Sequence, residues 1–269
     1  MARIDATARV ADGARIADGA EIGPFCVVGR DVELRAGARL MSHVCVDGAT
    51  TIGERTVVHP FTSLGSAPQS VGYHGEPTKL TIGADCVIRE NVTMSIGTAS
   101  GRGITTVGDR GFFMAYCHIA HDCQIGNDVT LANGVTLGGH VAVGDFTFIG
   151  GLSAIHQFVR IGPHVMIGGL AGQSDDVIPF GITQGNFAKL RGINLVGMRR
   201  RKFSAATIRA VRTAYRRLFF GEGDMAKRLD AVEKEFGGEA AVAEVVAFIR
   251  ADRDRELCRP DIRAAADDE

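Results

Sequence analysis

The chain has 269 residues, among them 35 glycines and no tryptophan, with 6% aromatic content and a net charge of −1. Near-neutrality gives no reason to expect nucleic acid as a partner, and the scarcity of rings excludes a core built on large aromatics. The opening Met1-Ala2-Arg3-Ile4-Asp5 lacks the apolar centre of a secretion signal, and no stretch approaches the roughly 18 apolar residues of a membrane span. A cytoplasmic protein without an integral membrane segment is therefore expected.

From the N-terminus an aliphatic residue returns every sixth position: Ile4, Val10, Ile16, Ile22, Val28, Leu34, Leu40, Val46, Ile52, Val58 and Leu64. A period of six is neither the 3.6 of a helix nor the 2 of a strand; it predicts a coil of short strands, three hexads closing one turn of a triangular prism. Glycine often follows the aliphatic residue, as at Gly23, Gly53, Gly108 and Gly126, and is expected to turn the corner. Four positions after the aliphatic residue comes a small inward one, such as Ala20, Thr50 or Thr62. Cys26, Cys86, Cys117 and Cys123 occupy that position, which reads as packing by reduced thiols rather than ligation.

A first break, 65–81, carries Gln69, Tyr73 and Gly75-Glu76-Pro77-Thr78; the period resumes at Ile82, Ile88 and Met94 and breaks again over 95–106. Loops that leave a rigid scaffold are where function concentrates. The third run is Val107, Phe113, Ile119, Ile125, Leu131, Leu137, Val143, Ile149, Ile155, Ile161 and Ile167.

Beyond Pro179 a glycine-rich linker leads to three predicted helices. Ser204 caps the first (Ile208, Val211, Tyr215, Leu218), Asp224 caps the second (Met225, Leu229, Val232, Phe236), and Val242, Val245, Val246 and Ile249 mark the third, before an acidic tail ending Asp267-Asp268-Glu269. The predicted organisation is thus a mainly β protein: a parallel β-helix over 1–190 with loops inserted at 65–81 and 95–106, and an α-helical domain over 191–269. Between Met198 and Phe220 stand Arg199, Arg200, Arg201, Lys202, Arg209, Arg212, Arg216 and Arg217 with no acid, which suggests an anionic partner: an acidic carrier protein or ligand phosphates.

Coil arithmetic locates the chemistry. Ile119, Leu137 and Ile155 are one coil apart, and His121, His140 and His156 follow them by two, three and one residues. All three imidazoles therefore gather at one corner, within about 10 Å, with His118 facing outward just before it. Two readings stay open: a general base with polar substrate contacts, or metal ligands.

The segments Cys117-His118-Ile119-Ala120-His121-Asp122-Cys123, Gly138-Gly139-His140, Gly150-Gly151 through His156-Gln157-Phe158, Gln184-Gly185-Asn186 and Asn194 to Arg201 resemble the acyl-carrier-protein-dependent UDP-N-acetylglucosamine O-acyltransferases of lipid A biosynthesis. The resemblance covers nearly the whole chain. It implies a left-handed coil and a homotrimer, and transfer of a (3R)-hydroxyacyl chain from the carrier's phosphopantetheine to the sugar 3-position, with no metal and no other cofactor. His121 matches the general base, an imidazole with an ordinary pKa of about 6.5. Asp122 matches its orienting carboxylate and Gly139 the backbone oxyanion donor. Gln69, Tyr73, His118, His140, Gly151, His156 and Gln157 match substrate-contacting positions, and Gly169 the position that limits acyl length. Asn194, Arg200 and Arg201 match residues near the nucleotide phosphates and the phosphopantetheine.

The chain departs from the family pattern at Ser70, Gly72, Ser95, Ile96 and Val196, where charged or polar groups are usual. Loss of charge near the sugar keeps a second acceptor open, a UDP-sugar with a 3-amino group. An acyl-CoA donor and a β-helical metalloenzyme also stay open.

Overall fold

The computed structural model describes residues 1–251 and 254–261, so the acidic tail lies outside the described residues. Short parallel strands, mostly of two residues, build three sheets that form the faces of a left-handed triangular prism. Face A starts at Arg3–Ile4, face B at Arg9–Val10 and face C at Arg15–Ile16. Partners on successive coils lie 18 residues apart, as in Ile4 with Ile22, except across the insertions, where Val58 pairs Ile88 at 30 and Ile88 pairs Phe113 at 25. The inserted loops are shorter than expected, because Lys79–Ile82 and Ile104–Val107 are strands of face C.

The register residues line the interior: from Ile22 to Ile167 every one is buried, each contributing about 1.5–3 kcal/mol. Ile4, on the open first coil, is 50% exposed because no coil lies beneath it. Arg3 and Arg15 on that edge pair with Glu21 and Glu33, charges that discourage strand addition. Cys26, Cys86, Cys117 and Cys123 are buried as free thiols in the expected inward position.

The corners are made differently from the sequence expectation. At Gly23, Gly53, Gly108 and Gly126 the glycine after the aliphatic residue does not adopt the left-handed conformation; a Cβ on Gly53 would meet the backbone of Gly83 at 2.3 Å, so the missing side chain lets coils stack. The turn comes two residues later, at non-glycine residues of positive φ such as Asp122 (60°), His140 (62°) and Phe158 (67°).

Between faces C and A, His164 stacks between Phe146 (4.9 Å) and Phe180 (5.2 Å), and its Nδ1 is buried without a hydrogen-bond partner. Burial, aided by Arg201 and opposed by Asp145, pulls its pKa down to about 4. The folded state therefore keeps His164 neutral where the unfolded chain would protonate it: this stability is complete above about pH 6.5 and is lost as the pH falls towards 4. His164→Phe is expected to remove about 2–3 kcal/mol of that loss. Urea unfolding of both proteins at neutral and acid pH measures it, and identical pH dependence would refute the assignment.

Face A is extended by an antiparallel hairpin, Gly181–Gln184 with Lys189–Ile193, where the sequence suggested a linker. Among the described residues four helices follow: α1 (Leu195–Arg200), α2 (Ala205–Phe220), α3 (Met225–Phe236) and α4 (Ala240–Arg250). Ser204 accepts from the Thr207 N–H and Asp224 from the Lys227 N–H, so both expected caps form; the short α1 was not foreseen. After α4 the chain returns to the prism, where Leu257 bridges to Asp176, whose buried carboxylate accepts from the Arg160 N–H and Nε. Among the described residues no helix is long and apolar enough to cross a membrane.

Candidate active site

Both inserted loops leave the prism where face B meets face C, after Ser63–Ser66 and after Thr93–Ser95, and the next coil brings His121 and Asp122 to the same corner. Asp122 is fully buried beneath the second loop. It accepts from Thr98 Oγ1 at 2.6 Å, the Thr98 N–H at 3.1 Å, the Arg102 N–H at 2.9 Å and His121 Nδ1 at 2.8 Å. Burial by itself would raise this carboxyl's pKa, but the Thr98 hydroxyl, the His121 ring and the Thr98 N–H outweigh it and hold it below its ordinary value. Asp122 is thus a carboxylate, and it fixes the His121 proton on Nδ1, leaving the Nε2 lone pair free. A Cβ on Gly101 would lie 2.5 Å from Asp122 Oδ2, so only glycine lets the loop close this far. The first loop supports the second through Thr78 Oγ1, which donates to the Gly97 carbonyl at 2.6 Å.

One coil on, the His121 ring lies directly over Gly139: a Cβ there would stand 2.6 Å from Cε1 and 2.8 Å from Nε2. The Gly139 N–H donates to no acceptor among the described residues. His140 meets His121 edge-on at 5.1 Å and stacks on Phe158 at 4.4 Å. Desolvation lowers the pKa of both His118 and His140, leaving them neutral at pH 7; His118 Nδ1 shares a 2.8 Å hydrogen bond with Thr93 Oγ1. His156 and Gln157 follow, exposed, on the next coil.

His121, Asp122 and His140 offer ligand atoms within 4.8 Å of one another, which a metal ion would find acceptable. Both Asp122 oxygens, however, are already occupied by donors from Thr98, Arg102 and His121, an arrangement that orients a base.

The remaining expected site residues are distributed around the protomer. Gln69 and Tyr73 sit on the first loop, with the Tyr73 hydroxyl donating to the Glu76 carbonyl at 2.9 Å. Gly151 and Gly169 lie at the A–B corner beside the exposed Leu152 and Leu170. Asn194 serves the C–A corner: Nδ2 donates to the His164 carbonyl at 2.9 Å, Oδ1 caps α1, and Arg201 covers the Phe146 ring at 3.9 Å. Arg200 ends α1 on that side. A single protomer therefore unites His118, His121, Asp122, Gly139, His140, His156 and Gln157, and does not bring Gly151, Gly169, Asn194, Arg200 or Arg201 to them. Two of the departures, Ser95 and Ile96, are buried at 5% exposure each, Ile96 within the hydrophobic core. Sequence reasoning missed Thr98 and Arg102, which reach Asp122 from an inserted loop that obeys no coil arithmetic, the Thr78 hydroxyl that holds that loop at Gly97, and Arg255, which lies 98 residues beyond Gln157.

Residues 176–258 match the family described as UDP-N-acetylglucosamine O-acyltransferase, domain 2, and residues 105–139 match the bacterial transferase hexapeptide. An acyl-[acyl-carrier-protein]–UDP-N-acetylglucosamine O-acyltransferase of Azorhizobium caulinodans is 54% identical over 97% of this chain and 96% of its own. Its namesake in Caulobacter vibrioides is 55% identical over 86% of this chain and 88% of its own. The crystal structure of the UDP-N-acetylglucosamine O-acyltransferase of Moraxella catarrhalis superposes with a TM-score of 0.92 at 39% identity, covering 95% of this chain and 99% of that one.

Proposed function

The chain belongs to the UDP-N-acetylglucosamine O-acyltransferase family, and on that premise we propose that it moves a (3R)-hydroxyacyl chain from acyl carrier protein to the 3-hydroxyl of UDP-N-acetylglucosamine, the opening step of lipid A biosynthesis. The observation that carries this reading is the His121–Asp122 pair with the imidazole laid over Gly139. His121 Nε2 takes the proton of the sugar 3-hydroxyl as its oxygen attacks the thioester carbonyl. The tetrahedral oxyanion rests on the Gly139 N–H. Collapse breaks the carbon–sulfur bond, and the imidazolium returns its proton to the departing phosphopantetheine thiolate. Ester and free thiol result, with no resident cofactor required.

His118, His140, His156 and Gln157, with Gln69 and Tyr73 on the loop, surround the acceptor and acyl head in this reading. The A–B corner, with Gly151 and Gly169, receives the acyl chain, and Asn194, Arg200 and Arg201 meet phosphates. These three corners of the prism complete one site only when copies pack side by side, which supports a homotrimer. Tyr116, Leu152, Leu170 and Phe187, exposed by 67–76%, supply the apolar surface for that packing. The arginine face from Arg199 to Arg216 suits an acidic carrier protein, and we place the reaction in the cytoplasm.

Ser70, Gly72 and Val196 lie outside the core and bring no charge to the acceptor region, which favours the 3-amino UDP-sugar as the second reading. Steady-state assays with a series of hydroxyacyl carrier proteins and both acceptors decide between them. Transfer to plain UDP-N-acetylglucosamine with the higher kcat/KM is expected; a tenfold or greater preference for the amino sugar moves the acceptor to the second reading, and failure with both overturns the proposal.

A further inference from the structure

The segment that returns from α4 to the prism places Arg255 against the active-site corner. Its Nε donates to the Gln157 carbonyl at 2.9 Å, and its Nη2 stands 2.5 Å from His156 Nδ1. His156 Nδ1 thus has two neighbours with opposite demands: the Gln157 carbonyl at 3.2 Å asks for a proton on Nδ1, and the guanidinium, which only donates, asks for a lone pair. The guanidinium contact is the shorter, and Arg255 Nε already satisfies the carbonyl.

We propose that Arg255 is a positioning residue that locks His156 as the Nε2–H tautomer, so that this exposed ring presents an N–H donor to an oxygen of the bound substrate. The corner then holds two imidazoles of opposite polarity. A carboxylate at His121 Nδ1 leaves Nε2 as a proton acceptor, and a guanidinium at His156 Nδ1 makes Nε2 a donor. The two rings are distinguished by what stands behind them, although both are reached from the same column of coils. Arg255 shares its recess with Asp175, Asp254 and Glu256, whose charges favour the guanidinium there. That the oxygen belongs to the nucleotide-sugar acceptor rests on the function proposed above; the tautomer does not.

The test uses the full-length protein with 15N-labelled histidine. In the ligand-free wild type, long-range proton–nitrogen spectra are expected to show His156 with bare Nδ1 and protonated Nε2. In Arg255→Met the Nδ1 proton is expected to appear, now bonded to the Gln157 carbonyl, whereas Arg255→Lys, which keeps one donor, retains the wild-type pattern. In acyl-transfer assays Arg255→Met should raise KM for the nucleotide sugar about tenfold, the size of one lost hydrogen bond to the substrate, with kcat changed less. In a His156→Ala background the same substitution should change KM less than twofold, because the donor it positions is gone. An unaltered tautomer in Arg255→Met, or equal effects of Arg255→Met in both backgrounds, overturns the proposal. Absence of acyl transfer by the wild type overturns the function instead, and leaves the spectra to decide the tautomer.

Discussion

Replacement of His121 by alanine is expected to lower kcat by about 10²–10⁴-fold, the range that a positioned proton acceptor contributes. Among the described residues the ring's one hydrogen bond is to Asp122, and His121 stands at the corner, outside the aliphatic column that holds the coils together. The variant should therefore unfold at nearly the wild-type denaturant concentration, which separates lost chemistry from lost structure. KM for the nucleotide sugar should stay within about threefold, because the proton moves only as the oxygen attacks and the interaction belongs to the transition state. Purified variant and wild type, assayed at saturating carrier and sugar, give the answer. A kcat within tenfold of wild type would mean that another group takes the proton, and the role assigned to Asp122 would fall with it.

Alanine at Gly139 is the second large effect expected, and it tests geometry rather than titration. Gly139 lies outside the left-handed region, so its backbone tolerates alanine; what the new Cβ meets is the His121 ring at 2.6–2.8 Å. The imidazole must swing away from the position in which, under the proposed mechanism, it meets the attacking hydroxyl beside the Gly139 N–H, and a displacement near 1 Å costs about 10²-fold in rate. Gly138→Ala provides the contrast, since there a Cβ meets the Gln157 backbone nitrogen at 2.8 Å and the coils must separate. Loss of kcat with intact stability is expected at 139, and loss of stability at 138. If Gly139→Ala turned over at the wild-type rate, the ring could not lie where the structure puts it during catalysis.

These two glycines show what was legible in the residues. The hexad from Ile4 to Ile167 reveals the prism, the inward cysteines and the shared corner of His121, His140 and His156, because in a coil of fixed length sequence spacing is spatial position. The identity of the turning residue was misplaced: glycine after the aliphatic residue serves contact between coils, and the turn belongs to Asp122, His140 and Phe158. That turn sends polar side chains to the corner at all. Burial of Ser95 and Ile96 was not legible either: the strand runs to Ser95, and Ile96 packs into the core before the second loop departs.

The sequence by itself determined the triangular coil and its histidine corner, because a six-residue period that buries one aliphatic group per strand fixes which residues stack on one another. The hand of the coil followed from the family resemblance and not from the period. Tertiary structure alone decided the state of that corner: Thr98 and Arg102 holding the Asp122 carboxylate charged, Arg255 behind His156, and the dispersal of Gly169 and Asn194 to other corners. Insertions and chain returns bring these groups together across distances that no period encodes, and protonation depends on which atoms finally touch.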